Sequence, residues 1–290
     1  LNTTYPNGAE KNRPVRTGRP GQADPDLIQR AGHDERRPMP KVFVHGNPET
    51  DAIWSELVGE LADRGVNGIV LLSPPGFGAP VPDGWGATRS EYRDWLVREL
   101  ESIVESSGPV DVVGHDWGAG HVFGALLARP DLFRTWSTDC AGLLHPDYIW
   151  HDMALAWQTP EIGEQVVEAM RSADPEENVA GLVALGMSQH AAEATTEAMD
   201  ADMAGCILGL YRSASQPAMS NLGDDLVRTA LPPGLVLVPT ADPYAGTPEM
   251  AIQTAARLAA GTLQLDGLGH WWMMERADLA ADALISHWSR

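Results

Sequence analysis

From Lys41 to Cys140 short apolar runs alternate with amphipathic helical stretches, and no other feature of the chain restricts its fold as strongly. "KVFVH" reads as a strand, "AIWSELVGELADRG" as a helix and "NGIVLLS" as a strand; the rhythm continues through "RSEYRDWLVRELESIV", "VDVVGH", "AGHVFGALLARP" and "TWSTDC". Strands that are apolar at consecutive positions suit a parallel sheet buried under helices, because each crossover between parallel strands brings a helix back over a face. Gly65 and Pro130 fall where helices should end.

The rhythm then stops. Over 144–228 the sequence holds short helical patterns rich in Ala, Met, Glu and Gln, and no strand signal. "GLVLVPT", a helix from about Pro248 to Ala260, "TLQLDG" and a closing helix to His287 resume it. The expected organisation is an α/β core over 39–143, an inserted helical cap over 144–228, and the second part of the core over 229–290. Residues 1–38 hold few large apolar side chains and no sustained period, so a disordered or extraneous tail is expected there. Met39 stands directly before the first convincing strand, as it would if the preceding residues were upstream translated sequence.

Composition narrows the function classes. The 290 residues carry a formal net charge of -20 and no cluster of Lys or Arg, which argues against nucleic acid and anionic membranes as partners. No apolar run reaches the roughly 18 residues of a membrane span. Cys140 and Cys206 form neither a disulfide framework nor a metal-ligand spacing. With no signal-peptide pattern at the N-terminus, a soluble cytoplasmic protein is expected, and the sequence leaves homo-oligomerisation open.

Chemistry gathers at the carboxyl ends of the predicted strands, where open α/β sheets place their ligands. "VDVVGHDWGAGHVFG" is a strand, a sharp turn and a helix, with Gly114 and Gly118 two residues either side of Asp116. That pattern fits a strained turn that lifts one side chain above the sheet, and the backbone N–H of Trp117 would point into the same space. "VFVHGNPET" sets Asn47 after the first strand, where its backbone N–H could act as a second donor to an oxyanion. "LVLVPTADPYAG" sets Asp242 after one later strand, and "LQLDGLGHWWMM" sets His270 after the next. Each motif alone is a common turn; the four together are a nucleophile, two oxyanion donors and an acid–base pair in chain order.

On these residues the chain resembles the α/β-hydrolase superfamily, in its branch with an aspartate nucleophile: epoxide hydrolases, haloalkane dehalogenases and fluoroacetate dehalogenases. The resemblance runs from about Val42 to the C-terminus and implies the α/β-hydrolase fold, a mostly parallel sheet flanked by helices with an inserted helical cap. Residues 1–38 do not read as the antiparallel hairpin with which such proteins usually begin, so a shorter sheet is expected. The resemblance also implies that Asp116 attacks a saturated carbon and forms an ester. His270, oriented by Asp242, would then activate the water that cleaves it, with Asn47 and Trp117 holding the oxyanion. No metal or organic cofactor enters this chemistry, and the partner is a small hydrophobic electrophile.

The leaving group separates the branch. "LGLYRSA" looks like the segment that holds a ring-opening tyrosine of epoxide hydrolases, here Tyr211, and Glu49 and Trp271 also look closer to that group. A second tyrosine is expected in a segment like "LAWQTPEIGE", where this chain has Ala156; Tyr148 and His151 are nearby groups able to substitute. Asn47 with Trp117 matches the halide-binding side-chain pair of one haloalkane dehalogenase group, in which the triad acid would be Asp139 rather than Asp242. Epoxide hydrolysis is the favoured expectation, haloalkane dehalogenation the alternative, and a non-catalytic ligand-binding homologue the remote one. Trp150, Trp157, Trp271, Trp272, Met153, Met170 and Met187 are expected either to line an apolar pocket or to pack the core.

Overall fold

A computed structural model describes residues 39–289, so the expected tail over 1–38 lies outside the described residues. Six strands form one sheet: β1 (Lys41–Val44), β2 (Ile69–Leu72), β3 (Val110–Gly114), β4 (Phe133–Thr138), β5 (Gly234–Pro239) and β6 (Gly261–Leu265). Their order is β2-β1-β3-β4-β5-β6, with every neighbouring pair parallel. Among the described residues the sheet has no antiparallel strand, and the expectation that 1–38 form no opening hairpin lies outside them.

The connections are the expected helices. Helix α1 (Ser55–Asp63) follows β1, α2 (Arg89–Ser107) follows β2, and α3 (Trp117–Ala128) follows β3. Helix α2 starts where Thr88 and Glu91 form a reciprocal capping box, satisfying backbone N–H groups that the first turn leaves unpaired. Between β4 and β5 come α4 (Asp152–Gln158), α5 (Ile162–Ser172), α6 (Pro175–Ala184), α7 (Gln189–Ala198), α8 (Ala201–Ser213) and α9 (Ala218–Val227). Helices α10 (Pro248–Arg257), α11 (Trp272–Glu275) and α12 (Ala277–Trp288) complete the described chain.

Strand alternation feeds two cores. Val42, Val44, Val110 and Val112 pack on one face against Tyr92 and Leu96 of α2 and Phe123 of α3. Phe43, Val113 and Leu237 pack on the other against Leu57 of α1 and Leu284 of α12. Each such side chain, fully buried, contributes about 1.5–3 kcal/mol relative to exposure, so the sheet position of β1 and β3 is fixed from both sides. No helix among the described residues is long and apolar enough to cross a membrane.

The topology also locates a site. After β1 the chain moves outward to β2, then returns across β1 to lay β3 on its other flank. The loops leaving β1 and β3 therefore diverge from adjacent strand ends, and the crevice between them is where such a sheet receives a ligand.

Candidate active site

Asp116 occupies the turn between β3 and α3 at φ 50° and ψ −120°, a backbone conformation costly for a residue with a Cβ. Close packing holds it there. A Cβ on Gly118 would lie 2.0 Å from the Val44 carbonyl oxygen, and one on Gly114 2.8 Å from that of Gly118. Both glycines flanking Asp116 in sequence thus have steric reasons. A third appears only in the structure: a Cβ on Gly46 would sit 2.2 Å from Asp116 Oδ1 and 2.5 Å from the Trp117 nitrogen.

That crowding sets backbone N–H groups against the carboxylate. The Asn47 N–H donates to Asp116 Oδ1 at 2.8 Å. Trp117 is the first residue of α3, so its N–H has no acceptor within the helix, and like Asp116 Oδ1 its nitrogen lies against Gly46. His270 follows β6, and its Nε2 stands 3.7 Å from Asp116 Oδ2, too far for a hydrogen bond but close enough to share a small molecule. Asp242 Oδ2 accepts from His270 Nδ1 at 2.9 Å, while Asp242 Oδ1 accepts the Tyr244 N–H at 2.7 Å. Asp139 contacts His115 and the Trp272 indole instead of His270.

The electrostatics follow from this geometry. Burial pushes Asp116 from its ordinary 3.8 up to about 6, against the pull of the neighbouring His270. Burial alone would lower His270, but the charge and hydrogen bond of Asp242 more than offset it and raise its pKa. Burial would raise Asp242, and His270 reverses that, holding it below the usual carboxylate range.

A cavity of about 210 Å³ opens over Asp116 and His270. Tyr211 from α8, His151, Trp157 from α4 and Trp271 line it, as do Met153 and Met170. Met187, Trp150 and Trp272 pack in the cores rather than along this cavity. The Tyr211 ring is buried, and its hydroxyl oxygen receives the Asn47 side-chain N–H at 3.4 Å and faces the Trp117 indole. Burial raises the Tyr211 phenol well above its ordinary pKa, and the Trp117 and Asn47 donors oppose the rise.

The two suggested substitutes for a second tyrosine separate cleanly. Tyr148 is committed elsewhere, because its hydroxyl donates to the Tyr244 carbonyl at 2.8 Å. His151 lines the cavity and caps α4, its Nδ1 accepting the Ala154 N–H at 3.3 Å. An accepting Nδ1 places the ring proton on Nε2, and burial, followed by the charge of His270, keeps the ring neutral by lowering its pKa.

Sequence reasoning missed the group beneath the site. His115 is fully buried between Glu49 and Asp139, its Nε2 facing Glu49 Oε1 at 3.1 Å and its Nδ1 facing Asp139 Oδ2. Its signal was a histidine and two carboxylates at the carboxyl ends of β3, β1 and β4, positions that otherwise read as buried. Glu49, His115 and His270 bring potential metal-ligating atoms within 4.8 Å of one another, but both His115 nitrogens already face carboxylates.

A family model described as the alpha/beta hydrolase family matches residues 42–283. The chain belongs to the alpha/beta hydrolase family. It is a hydrolase, and an epoxide hydrolase of Caballeronia sordidicola is 25% identical to it over 294 residues, covering 84% of this chain and 85% of the relative. Among solved structures, a loop variant of a haloalkane dehalogenase from Bradyrhizobium elkanii superposes with a TM-score of 0.64 at 20% identity, covering 88% of this hydrolase and 92% of that chain. A lipase-esterase related protein from Clostridium acetobutylicum superposes with a TM-score of 0.62 at 16% identity, covering 86% and 94%. At such identities the structural likeness speaks for the fold alone.

Proposed function

We propose that this hydrolase opens a small apolar epoxide to a vicinal diol through a covalent ester on Asp116. The observation that carries the reading is the Tyr211 hydroxyl, held over the cavity with the Asn47 amide and the Trp117 indole directed at its oxygen. Donors aimed at a phenol oxygen stabilise the phenolate, which favours release of its proton. A departing epoxide oxygen needs that proton; a departing halide does not. The same two side chains would have to serve a halide, yet here they face tyrosine.

The steps balance. Asp116 Oδ1 rests against the Asn47 N–H, leaving Oδ2 to attack a ring carbon. The carbon–oxygen bond of the ring breaks, and the departing oxygen takes the Tyr211 proton. The His151 Nε2–H supplies a further hydrogen bond to that oxygen. Neutral His270 next removes a proton from water as its oxygen adds to Cγ of Asp116, and the N–H groups of Asn47 and Trp117 hold the resulting oxyanion. Collapse expels the diol and restores the carboxylate, and the proton on His270 returns to the Tyr211 phenolate. The helices between β4 and β5 act as the cap, excluding bulk water while the ester forms. The 25% identical epoxide hydrolase supports this choice of electrophile.

The test is one panel of aryl and alkyl epoxides assayed for diol beside bromoalkanes assayed for halide. Diol formation is expected; halide without diol would replace this reading with haloalkane dehalogenation. In a single turnover in heavy-oxygen water the label should enter the Asp116 carboxylate before the product. Label confined to product would exclude the ester.

A further inference from the structure

His115 neither lines the cavity nor bonds the nucleophile's oxygens, yet it is fully buried directly beneath them. Each of its carboxylate partners has the same three kinds of donor. Glu49 accepts from His115, from the Trp271 indole at 2.6 Å and from the Gly46 N–H at 2.8 Å. Asp139 accepts from His115, from the Trp272 indole at 2.6 Å and from the Asp116 N–H at 3.0 Å. The imidazole thus joins two carboxylates that grip the backbone at Gly46 and at Asp116, the residues immediately before the oxyanion donors Asn47 and Trp117. The paired tryptophans follow His270 in the chain, so the general base is tied to the same frame.

Counting protons fixes the charge of the centre. A neutral imidazole has one N–H, and with one carboxylate at each nitrogen it would turn a lone pair toward buried negative charge. Only the imidazolium donates at both ends. The other groups facing it are the His270 ring with centroids 4.6 Å apart, the edges of Trp54 and Trp272, and, through longer-range charge, His45 and Asp116. Burial opposes the cation, and the charges of Asp139 and Glu49 outweigh burial, raising His115 well above an ordinary histidine.

We propose that Glu49–His115–Asp139 is a positioning device in which a permanently protonated His115 sets the spacing of the two oxyanion donors, and that ester hydrolysis depends on it more than ester formation does. The asymmetry follows from where charge develops. Attack by Asp116 moves charge onto the departing oxygen, whereas hydrolysis of the ester builds an oxyanion on Asp116 itself, in the grip of Asn47 and Trp117. The kinetic part rests on the ester reading given above.

Two measurements test it. In the 15N-histidine spectrum of the unmodified protein, one histidine should keep two N–H protons from neutral to alkaline pH, and that signal should disappear in His115→Gln. A His115 with one bare ring nitrogen at neutral pH overturns the proposal. Glu49→Gln retains size while removing one carboxylate, so His115 should lose its second proton. In rapid-mixing experiments with an epoxide, hydrolysis of the Glu49→Gln ester should slow by about 100-fold, as for loss of one oxyanion donor, with ester formation changed only a few-fold. Equal slowing of both half-reactions, or no slowing, overturns the positioning role. If the parent forms no ester with any epoxide, the reaction assignment and its kinetic arm fail, while the spectrum still decides the charge of His115.

Discussion

Replacing Asp116 with asparagine should destroy catalysis and stabilise the protein at the same time. The side chain is only 14% exposed, and its pKa is pushed from 3.8 to about 6, so at neutral pH the fold holds an ionised carboxylate at a cost the unfolded chain does not bear. That displacement is about two tenfold steps in acidity, and at about 1.36 kcal/mol for each the charge costs about 3 kcal/mol of stability. The sign is fixed by proton binding: between pH 4 and 6 the folded state holds a proton that the unfolded state has released, so stability falls as pH rises through that window. Below the unfolded value both states are protonated and the penalty vanishes. The substituted amide would retain an oxygen for the Asn47 N–H while carrying no charge. Urea titrations of parent and Asp116→Asn at pH 7 should differ by up to about 3 kcal/mol in favour of the variant, and the gap should shrink toward zero near pH 4. A variant no more stable than its parent at pH 7, or an advantage indifferent to pH, would refute the reasoning.

Four further outcomes follow from the same geometry. His270→Gln should still form the ester but not cleave it, leaving a protein heavier by the mass of one substrate in intact-mass spectra. Tyr211→Phe should slow epoxide opening by about 100-fold, within the range for loss of a proton donor, while any displacement of bromide changes little. The rate of ester formation should rise with pH through about 6 as Asp116 ionises; ester hydrolysis should rise at higher pH, because the raised pKa of His270 keeps the base protonated longer. Gly118→Ala should lower the thermal midpoint sharply, since its Cβ meets the Val44 carbonyl oxygen at 2.0 Å.

Periodicity carried the fold. Runs such as "LVLV" in β5 are apolar at every position because Leu235 and Leu237 pack into one core and Val236 and Val238 into the other, and the helices between strands stop at Gly or Pro for backbone reasons visible in the letters. The candidate site was legible where chemistry sits at strand ends: Asp116, Asp242, His270 and Asn47 all follow strands, and Asn47, Asp116 and His270 line one cavity with Asp242 bonded to His270 behind it. Chain order already favoured Asp242 over Asp139 as the partner of His270, and the hydrogen bond falls to Asp242, while Asp139 is taken by His115 and the Trp272 indole. Gly46 read as part of a turn; its need to be glycine comes from Asp116, far away in sequence. His115 was overlooked for a similar reason, its two partners lying beyond other strands.

The bond from Tyr148 to the Tyr244 carbonyl has a consequence for engineering. Tyr148 stands at the entrance to the helical insertion, and the N–H of Tyr244 in turn holds Asp242. The insertion is thus not an interchangeable accessory: a chimaera that imports another cap at a junction downstream of Tyr148 keeps the brace on the acid, whereas one spliced upstream removes it. Selectivity can be redesigned in the grafted helices, provided the splice leaves that tyrosine with the recipient.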